Sequence, residues 1–65
     1  MPAVPTTKTG ILERHFEWYF VRNEDGRRWR IEGDQRRFEH LIGMLVEVTG
    51  PLLQGAIVVQ GIHPA

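Results

Sequence analysis

The chain has 65 residues, and eight lysines and arginines balance eight aspartates and glutamates, so the formal net charge at neutral pH is zero. This length corresponds to one domain near the lower limit for folding without disulfides or metals. The sequence contains no cysteine, which excludes disulfide bonds and thiolate metal sites. The balanced charge argues against a strong non-specific phosphate binder, because such binding strengthens with every phosphate that the protein neutralises.

Residues 1–8 are interpreted as a flexible N-terminal arm, because Pro2, Pro5 and a pair of threonines interrupt any regular pattern. The arm has no continuous apolar run, so we do not expect a signal peptide. No stretch of the chain approaches the roughly 20 apolar residues that span a membrane. The lack of cysteine fits a reducing compartment, and we expect a cytoplasmic protein with no membrane partner.

Two predicted strands open the folded domain, which we place over residues 9–63. The first strand covers Thr9–Arg14, and its side chains alternate between two faces. The connection His15–Glu17 contains no strong turn residue, so the sequence does not fix its boundaries. The second strand covers Trp18–Arg22 and is rich in the aromatic and β-branched residues that favour strands.

The clearest turn in the sequence is Asn23–Gly26, which predicts a hairpin between the second and third strands. A three-residue loop with Gly26 in the left-handed conformation is a common hairpin connection. Counting outward from this loop, the residues that face the core are Tyr19, Val21, Trp29 and Ile31. On the outer face, Phe20 then lies opposite Arg30, and Arg22 opposite Arg28. A two-residue Asp25–Gly26 turn is the alternative, and its shifted register places Trp18 and Phe20 in the core.

One short helix is predicted after the third strand. Asp34 is a good N-cap, because its carboxylate accepts hydrogen bonds from the free N–H groups of the first turn. An apolar stripe follows at helical spacing, formed by Phe38, Leu41 and Ile42. Gly43 is placed to end the helix in the left-handed conformation.

Two further strands complete the predicted domain. The fourth covers Met44–Thr49, with Val46 and Val48 on one face, and Gly50-Pro51 is expected to end it. A second turn is predicted at Gln54-Gly55. The fifth strand covers Ala56–Ile62, and Gly61 allows a bend or bulge near its end.

The order strand, strand, strand, helix, strand, strand predicts an all-β fold, a small five-stranded β-barrel of the oligonucleotide/oligosaccharide-binding (OB) type with one short helix between strands 3 and 4. We therefore describe residues 9–63 as a single OB-like barrel domain. The predicted core consists of Leu12, Tyr19, Val21, Trp29, Ile31, Phe38, Leu41, Ile42, Val46, Val48, Leu52, Ile57, Val59 and Ile62.

Three segments together carry a family resemblance: the opening TGIL, the hairpin VRNEDGRRWRI and the later run LIGMLVEVTG. With these segments the chain resembles small bacterial OB-like domains of unknown function, over roughly positions 9 to 62. The resemblance implies that the inward positions of the hairpin, Tyr19, Val21, Trp29 and Ile31, belong to the core, and it supports the three-residue loop. It implies no catalytic residue, because the family is uncharacterised.

The sequence gives no sign of catalysis, a metal or a cofactor. It contains neither serine nor cysteine, and its single lysine, Lys8, lies outside any glycine-rich phosphate loop. Glu13 and Glu47 are expected to be isolated, solvated carboxylates. The histidines lie on a loop, a helix and the C-terminal tail without the i, i+4 spacing of a metal site: His15, His40 and His63. We expect a protein that is not an enzyme.

The candidate ligand surface is the outer face of the second and third strands. We call it the strand 2–3 face and define it by six residues: Phe16, Trp18, Phe20, Arg22, Arg28 and Arg30. Aromatic platforms beside basic groups are typical of proteins that bind single-stranded nucleic acid, so the hypothesis is weak binding of single-stranded DNA or RNA. A protein partner or a homodimer through the same face is the alternative. Two structural interpretations also stay open, namely cover by the N-terminal arm and burial through the two-residue register.

Overall fold

A computed structural model describes residues 5–65, and nothing is described for residues 1–4. The described residues form six strands and one short helix. In chain order these are β1 (Pro5–His15), β2 (Trp18–Arg22), β3 (Arg28–Glu32), α1 (Gln35–Glu39), β4 (Leu45–Leu53), β5 (Ala56–Val58) and β6 (Gly61–Pro64).

Five of the strands close into a barrel. β1 pairs with β2, β2 with β3, β3 with β5, β5 with β4, and β4 with β1. The β3–β5 pair is parallel and the other four pairs are antiparallel. The predicted five-stranded barrel with one short helix is confirmed, and the sixth strand, β6, pairs with β4.

The predicted single fifth strand, Ala56–Ile62, is wrong because a bulge divides it into β5 and β6. Leu52 pairs with Ile57 and Val48 pairs with Ile62. The chain therefore advances five residues from Ile57 to Ile62 while β4 advances only four from Val48 to Leu52. One extra residue therefore lies between the two ladders, as in a β-bulge. The expectation of a bend or bulge near Gly61 agrees with this interruption.

The ends of β1 and β4 also differ from the prediction. β1 begins at Pro5 rather than Thr9, so residues 5–8 of the predicted arm pair with β4, from Pro5 opposite Pro51 to Lys8 opposite Val48. β4 continues through Gly50-Pro51 to Leu53, where an end was expected. Proline is tolerated there because Pro51 faces the bulge between β5 and β6, where a missing N–H breaks no ladder.

The hairpin register is confirmed. Tyr19 pairs with Ile31, Val21 with Trp29, Phe20 with Arg30, and Arg22 with Arg28. Gly26 has φ 85°, and its N–H donates to the carbonyl oxygen of Asn23 over 3.0 Å. The three-residue loop is therefore present, and the two-residue alternative is wrong.

The helix begins as predicted and ends early. The Asp34 carboxylate accepts from the backbone N–H of Arg36 over 3.0 Å, and Phe38 is buried. The helix ends at Glu39, and Gly43 takes a positive φ in the turn beyond it. Ile42 is consequently 39% exposed and was wrongly assigned to the core, because the helical spacing is lost before it is reached.

The core fills the inside of the barrel. Its buried hydrophobic residues are Leu12, Tyr19, Val21, Ile31, Phe38, Val46, Val48, Ala56 and Ile57. Predicted core residues that pack against this cluster while partly buried are Trp29, Leu41, Val59 and Ile62. Leu52 was also wrongly assigned, since it is 44% exposed near the Gln54-Gly55 turn, at the end of the barrel. Ala56 is a core residue that the sequence pattern did not indicate.

Candidate functional site

The two strands of the hairpin divide their side chains between the core and the outer surface. Tyr19, Val21 and Ile31 are buried inside the barrel. Alternation along the strands therefore directs the other set outward, and pairing brings it together: Trp18, Phe20, Arg22, Arg28 and Arg30. Phe16 lies in the two-residue β1–β2 loop that leads directly into β2.

Phe16 is the most exposed large hydrophobic residue of the described chain. Its side chain is 92% exposed, and its backbone has φ 59°. A bulky residue in the left-handed region is an outlier, since steric contact with its Cβ disfavours that conformation. The carbonyl oxygen of Phe16 accepts from Arg14 Nε over 2.8 Å, which helps to hold the loop in place.

Trp18 and Phe20 continue the aromatic surface along β2. Trp18 is 47% exposed, and the guanidinium of Arg30 lies 4.8 Å from its ring centroid, within the range of a cation–π contact. Trp18 also borders a cavity of about 150 Å³ between β2 and α1. Phe20 is partly buried, and the ring of His15 contacts it edge-on at a centroid distance of 5.6 Å.

Glu13 is the residue that sequence reasoning missed. It lies on β1 directly opposite Phe20, and its carboxylate contacts Arg22 Nε at 3.0 Å and Arg28 Nε at 3.1 Å. His15 Nε2 is a further 3.5 Å contact. The expectation of an isolated, solvated carboxylate is therefore wrong for Glu13. The alternation of β1, which places Ile11 and Glu13 on its outer face, was the signal that could have brought this residue into the site.

These contacts change the electrostatics of the whole face. The hydrogen bond from Arg22, supported by Arg28 and His15, lowers the pKa of Glu13 from 4.5 to about 2. Arg30 is also paired, through a 2.9 Å contact with Glu32. The three arginines and the two glutamates together leave a formal charge of +1. The face is therefore aromatic and rich in hydrogen-bond donors, with little net positive charge.

A larger cavity opens where the β2–β3 hairpin diverges from β1. We call it the hairpin cleft; its volume is about 620 Å³, and its walls are Thr9, Gly10, Ile11, Arg22, Asn23, Glu24, Asp25 and Leu45. Gly10 allows this geometry, because a Cβ at that position would overlap the carbonyl group of Arg22. The cleft adjoins the strand 2–3 face at Arg22.

Glu39 on the helix is shared by two partners, since Arg14 Nη1 lies 3.5 Å from the carboxylate oxygen that also accepts from Tyr19. Tyr19 Oη donates to Glu39 over 2.5 Å, and this bond raises the pKa of the tyrosine. His63 Nε2 lies 3.4 Å from Oε1 of Glu47. Among residues 5–65, no group of three or more histidines and carboxylates lies close enough together to hold a metal ion. Within the same residues, no helix is long and apolar enough to cross a membrane.

Comparison with known proteins gives a family and no further relative. A family model described as "Protein of unknown function (DUF5818)" matches residues 9–65. No curated protein and no solved structure matches the chain significantly. The family match covers both the strand 2–3 face and the hairpin cleft. The chain therefore belongs to DUF5818, a family of proteins of unknown function.

Proposed function

We propose that this chain is a non-enzymatic OB-like module that binds single-stranded DNA or RNA weakly through the strand 2–3 face. The ring of pairings, with β1 against β4, β3 parallel to β5, and the helix between β3 and β4, supports the OB-like assignment. In OB folds the surface of strands 2 and 3, together with the loop between strands 1 and 2, contacts oligonucleotides. The aromatic and arginine side chains of this chain lie at that position.

The row of aromatic side chains carries the proposal. Trp18 and Phe20 lie two positions apart on β2, a separation of roughly 6.8 Å along a strand, and Phe16 lies in the loop that leads into β2. The arginines of β2 and β3 lie beside this row. Stacking of a base on an aromatic ring contributes about 1–3 kcal/mol and tolerates any sequence. The exposed rings of Phe16 and Trp18 supply such platforms.

The ion pairs limit how tightly a nucleic acid binds. A phosphate reaches Arg22 or Arg28 only in competition with Glu13, and it reaches Arg30 in competition with Glu32. At most three phosphates are neutralised on this face. Since log K falls with log salt by about 0.7 per phosphate on a single strand, the expected slope is about −2.

A titration of labelled oligothymidine of about twelve nucleotides, followed by anisotropy at low and rising salt, tests this proposal. We expect saturable binding with the slope stated above, and a loss of at least about fivefold in affinity for Phe16→Ala and for Trp18→Ala. His63→Ala is the control, because His63 is exposed on β6, which pairs with β4 and with neither strand of the face. No saturation at tens of micromolar protein would refute nucleic-acid binding.

Stability measurements separate a binding defect from unfolding. Trp18→Ala should lower the free energy of unfolding by about 1–2 kcal/mol, since half of the ring is exposed and the rest contacts Arg30 and borders the cavity beside α1. Trp29→Ala should lower it by about 3 kcal/mol, because Trp29 packs against the core. Urea denaturation of both variants gives these values. Equal losses would contradict the outward placement of Trp18.

A protein partner or a second copy of the chain is the second candidate. The pairing of all three arginines with glutamates favours it, because it leaves a nearly neutral face of tryptophan, phenylalanine and arginine, the composition of interaction hot spots. Sedimentation equilibrium tests the homodimer. A dimer that Trp18→Ala dissociates, together with no oligonucleotide binding, would favour this candidate, and a monomer at high concentration would exclude self-association.

A further inference from the structure

We propose that the hairpin cleft binds an extended, basic peptide segment of a partner protein, which adds as a strand to the free edge of β1. This site lies at the opposite end of β2 from Phe16 and does not depend on the function proposed for the strand 2–3 face. Three features point to this occupant: an unpaired strand edge, a rigid apolar cleft beside that edge, and the net negative charge of the residues that line the cleft.

The first half of β1 is paired along one edge. Leu12 donates its N–H to the carbonyl oxygen of Met44, at the β4 side. Backbone groups alternate between the two edges of an antiparallel strand, so the N–H and C=O groups of Thr7 and Thr9 point away from β4. On that side β2 pairs with β1 from Ile11 onward. Within residues 5–65, no strand reaches the free edge before this point.

The cleft beside this edge has the shape for an extended chain. Its volume of about 620 Å³ accommodates a few residues, and its apolar lining comes from Ile11 and Leu45, which pair with each other. Leu45 is 48% exposed and offers a contact for one apolar side chain. Peptides that bind by adding a strand to a sheet use an edge and a pocket of this kind. Their backbone hydrogen bonds to the edge supply affinity, and the side-chain pocket supplies specificity.

The facing wall of the cleft is rigid. Asn23 donates its N–H to the carbonyl oxygen of Arg27 over 2.9 Å, and its side-chain oxygen accepts from the N–H of Arg27 over 3.0 Å. These bonds fix the loop that carries Glu24 and Asp25. A bound segment therefore meets a preformed wall, and less conformational entropy is lost on binding.

The charges of the residues that line the hairpin cleft favour a basic peptide as its occupant. Glu24 and Asp25 are exposed on the rim, and neither forms a salt bridge within residues 5–65. Arg22, the cation among the residues that line the cleft, is already bound to Glu13. The residues that line the cleft therefore carry a net negative charge, whereas Lys8 and Arg27, the cations close to them in sequence, lie over the ring of Trp29. A segment with an apolar side chain over Leu45 and a basic side chain toward Glu24 is complementary to the cleft.

The probe is a blocked peptide of about seven residues that alternates valine and threonine and carries an arginine at each end; its counterpart carries glutamates there. We expect the arginine peptide to bind below about 1 mM and the glutamate peptide not to bind. In nuclear magnetic resonance spectra the amide proton of Thr9 should become protected from solvent exchange on binding. The amide proton of Gly10, which points toward β4, should keep its protection.

Matched variants locate the site. Glu24→Lys should weaken the arginine peptide at least about fivefold, whereas Glu17→Lys, the same charge change in the β1–β2 loop, should leave binding unchanged. Thr9→Pro removes the N–H that the peptide would use and should abolish binding, while Thr9→Ala retains that N–H and should bind normally.

Several results would overturn the proposal. They are absence of binding at about 1 mM, binding without protection of Thr9, and equal weakening by Glu24→Lys and Glu17→Lys. Protection of the Thr9 amide in the free protein that rises with protein concentration would also overturn it, because the edge would then be occupied by a second copy. The charge variants and the exchange measurement decide the matter even if Thr9→Pro does not fold.

Discussion

The backbone of Phe16 lies in the left-handed region at φ 59°, and its ring is 92% exposed. The conformation costs an L-residue roughly 1–2 kcal/mol, and an exposed ring recovers little of that by burial. Asparagine adopts the same conformation readily. A loop selected for stability alone would therefore favour asparagine at this position, and the presence of phenylalanine points to a role of the ring itself.

Replacing Phe16 tests this conflict between stability and binding. Phe16→Asn should raise the free energy of unfolding by up to about 1 kcal/mol while it weakens oligothymidine binding, because the strain is relieved and one platform is lost. Phe16→Ala is the control, since it removes the ring and keeps the strain. Urea denaturation and anisotropy give the two quantities. Unchanged binding by both variants would assign the ring no part in the ligand surface.

Glu13 should make the free energy of unfolding depend on pH in the acidic range. Its pKa is lowered from 4.5 to about 2 by Arg22, Arg28 and His15, so the ionised carboxylate favours the folded state. This stabilisation is fully present above the unfolded value of about 4.5 and is lost as the pH falls through about 2. Glu13→Gln should therefore show a shallower loss of stability over this interval than the wild type.

Thermal unfolding between pH 5 and pH 2 measures this difference. Glu17→Gln is the control, because Glu17 is exposed and forms no salt bridge within residues 5–65, and this variant should keep the wild-type slope. Asp34, whose pKa is lowered by its hydrogen bond from the Arg36 amide, leaves a residual slope in every variant. Equal slopes for wild type and Glu13→Gln would contradict the arginine contacts of Glu13.

Among the elements, β4 depends on close approach to its neighbour. A Cβ at Gly50 would overlap the carbonyl group of Val58, next to the bulge that separates β5 from β6. Gly50→Ala should therefore lower the free energy of unfolding by about 3 kcal/mol or more, since the backbone of β4 or of the facing Val58–Gln60 segment would have to move. Gly61→Ala is the control, because a Cβ there meets open space, and it should change stability by less than about 1 kcal/mol. Similar losses for both would contradict the bulge geometry.

The elements also show what sequence can and cannot predict. The β2–β3 register was predictable because Gly26 marks the turn, and counting outward from it placed Trp18 and Phe20 outside. The β1–β2 register was not predictable, because the loop places Phe16, without a turn signature, at a position that favours glycine or asparagine. Without that register the neighbours of Glu13 were unknown. The charge balance of the strand 2–3 face was therefore missed.

Long-range contacts set the remaining boundaries. Residues 5–8 carry no strand pattern of their own, and they become part of β1 because β4 offers them an edge forty or more residues away in sequence, from Pro51 to Val48. The helix prediction erred in the opposite direction, because the predicted helix is longer than the observed one. Its apolar stripe continued to Ile42, but the chain leaves the helix at Glu39 to return to the barrel. Local periodicity does not report either event.

At the scale of the whole molecule, β5 is the weakest part of the closed ring. It has three residues, joined by three pairs to β3 and two to β4, whereas β1 has seven pairs with β4 and five with β2. β5 and β6 are also the last strands along the chain, and β6 pairs with β4 alone within the described residues. Detaching this segment would expose Ala56 and Ile57 while the ladders of β1 with β2 and β4 stay intact.

Native-state hydrogen exchange should therefore resolve two levels of opening. We expect the amides of Ala56, Ile57 and His63 to exchange with a lower free energy of opening than that of Leu12, because local openings involve the segment with fewest cross-strand bonds. Leu12 is fully buried, and its N–H bonds to Met44, so it should report global unfolding. Equal free energies for all four amides would mean that closure through β5 is as strong as the rest, and that the barrel opens as one cooperative unit.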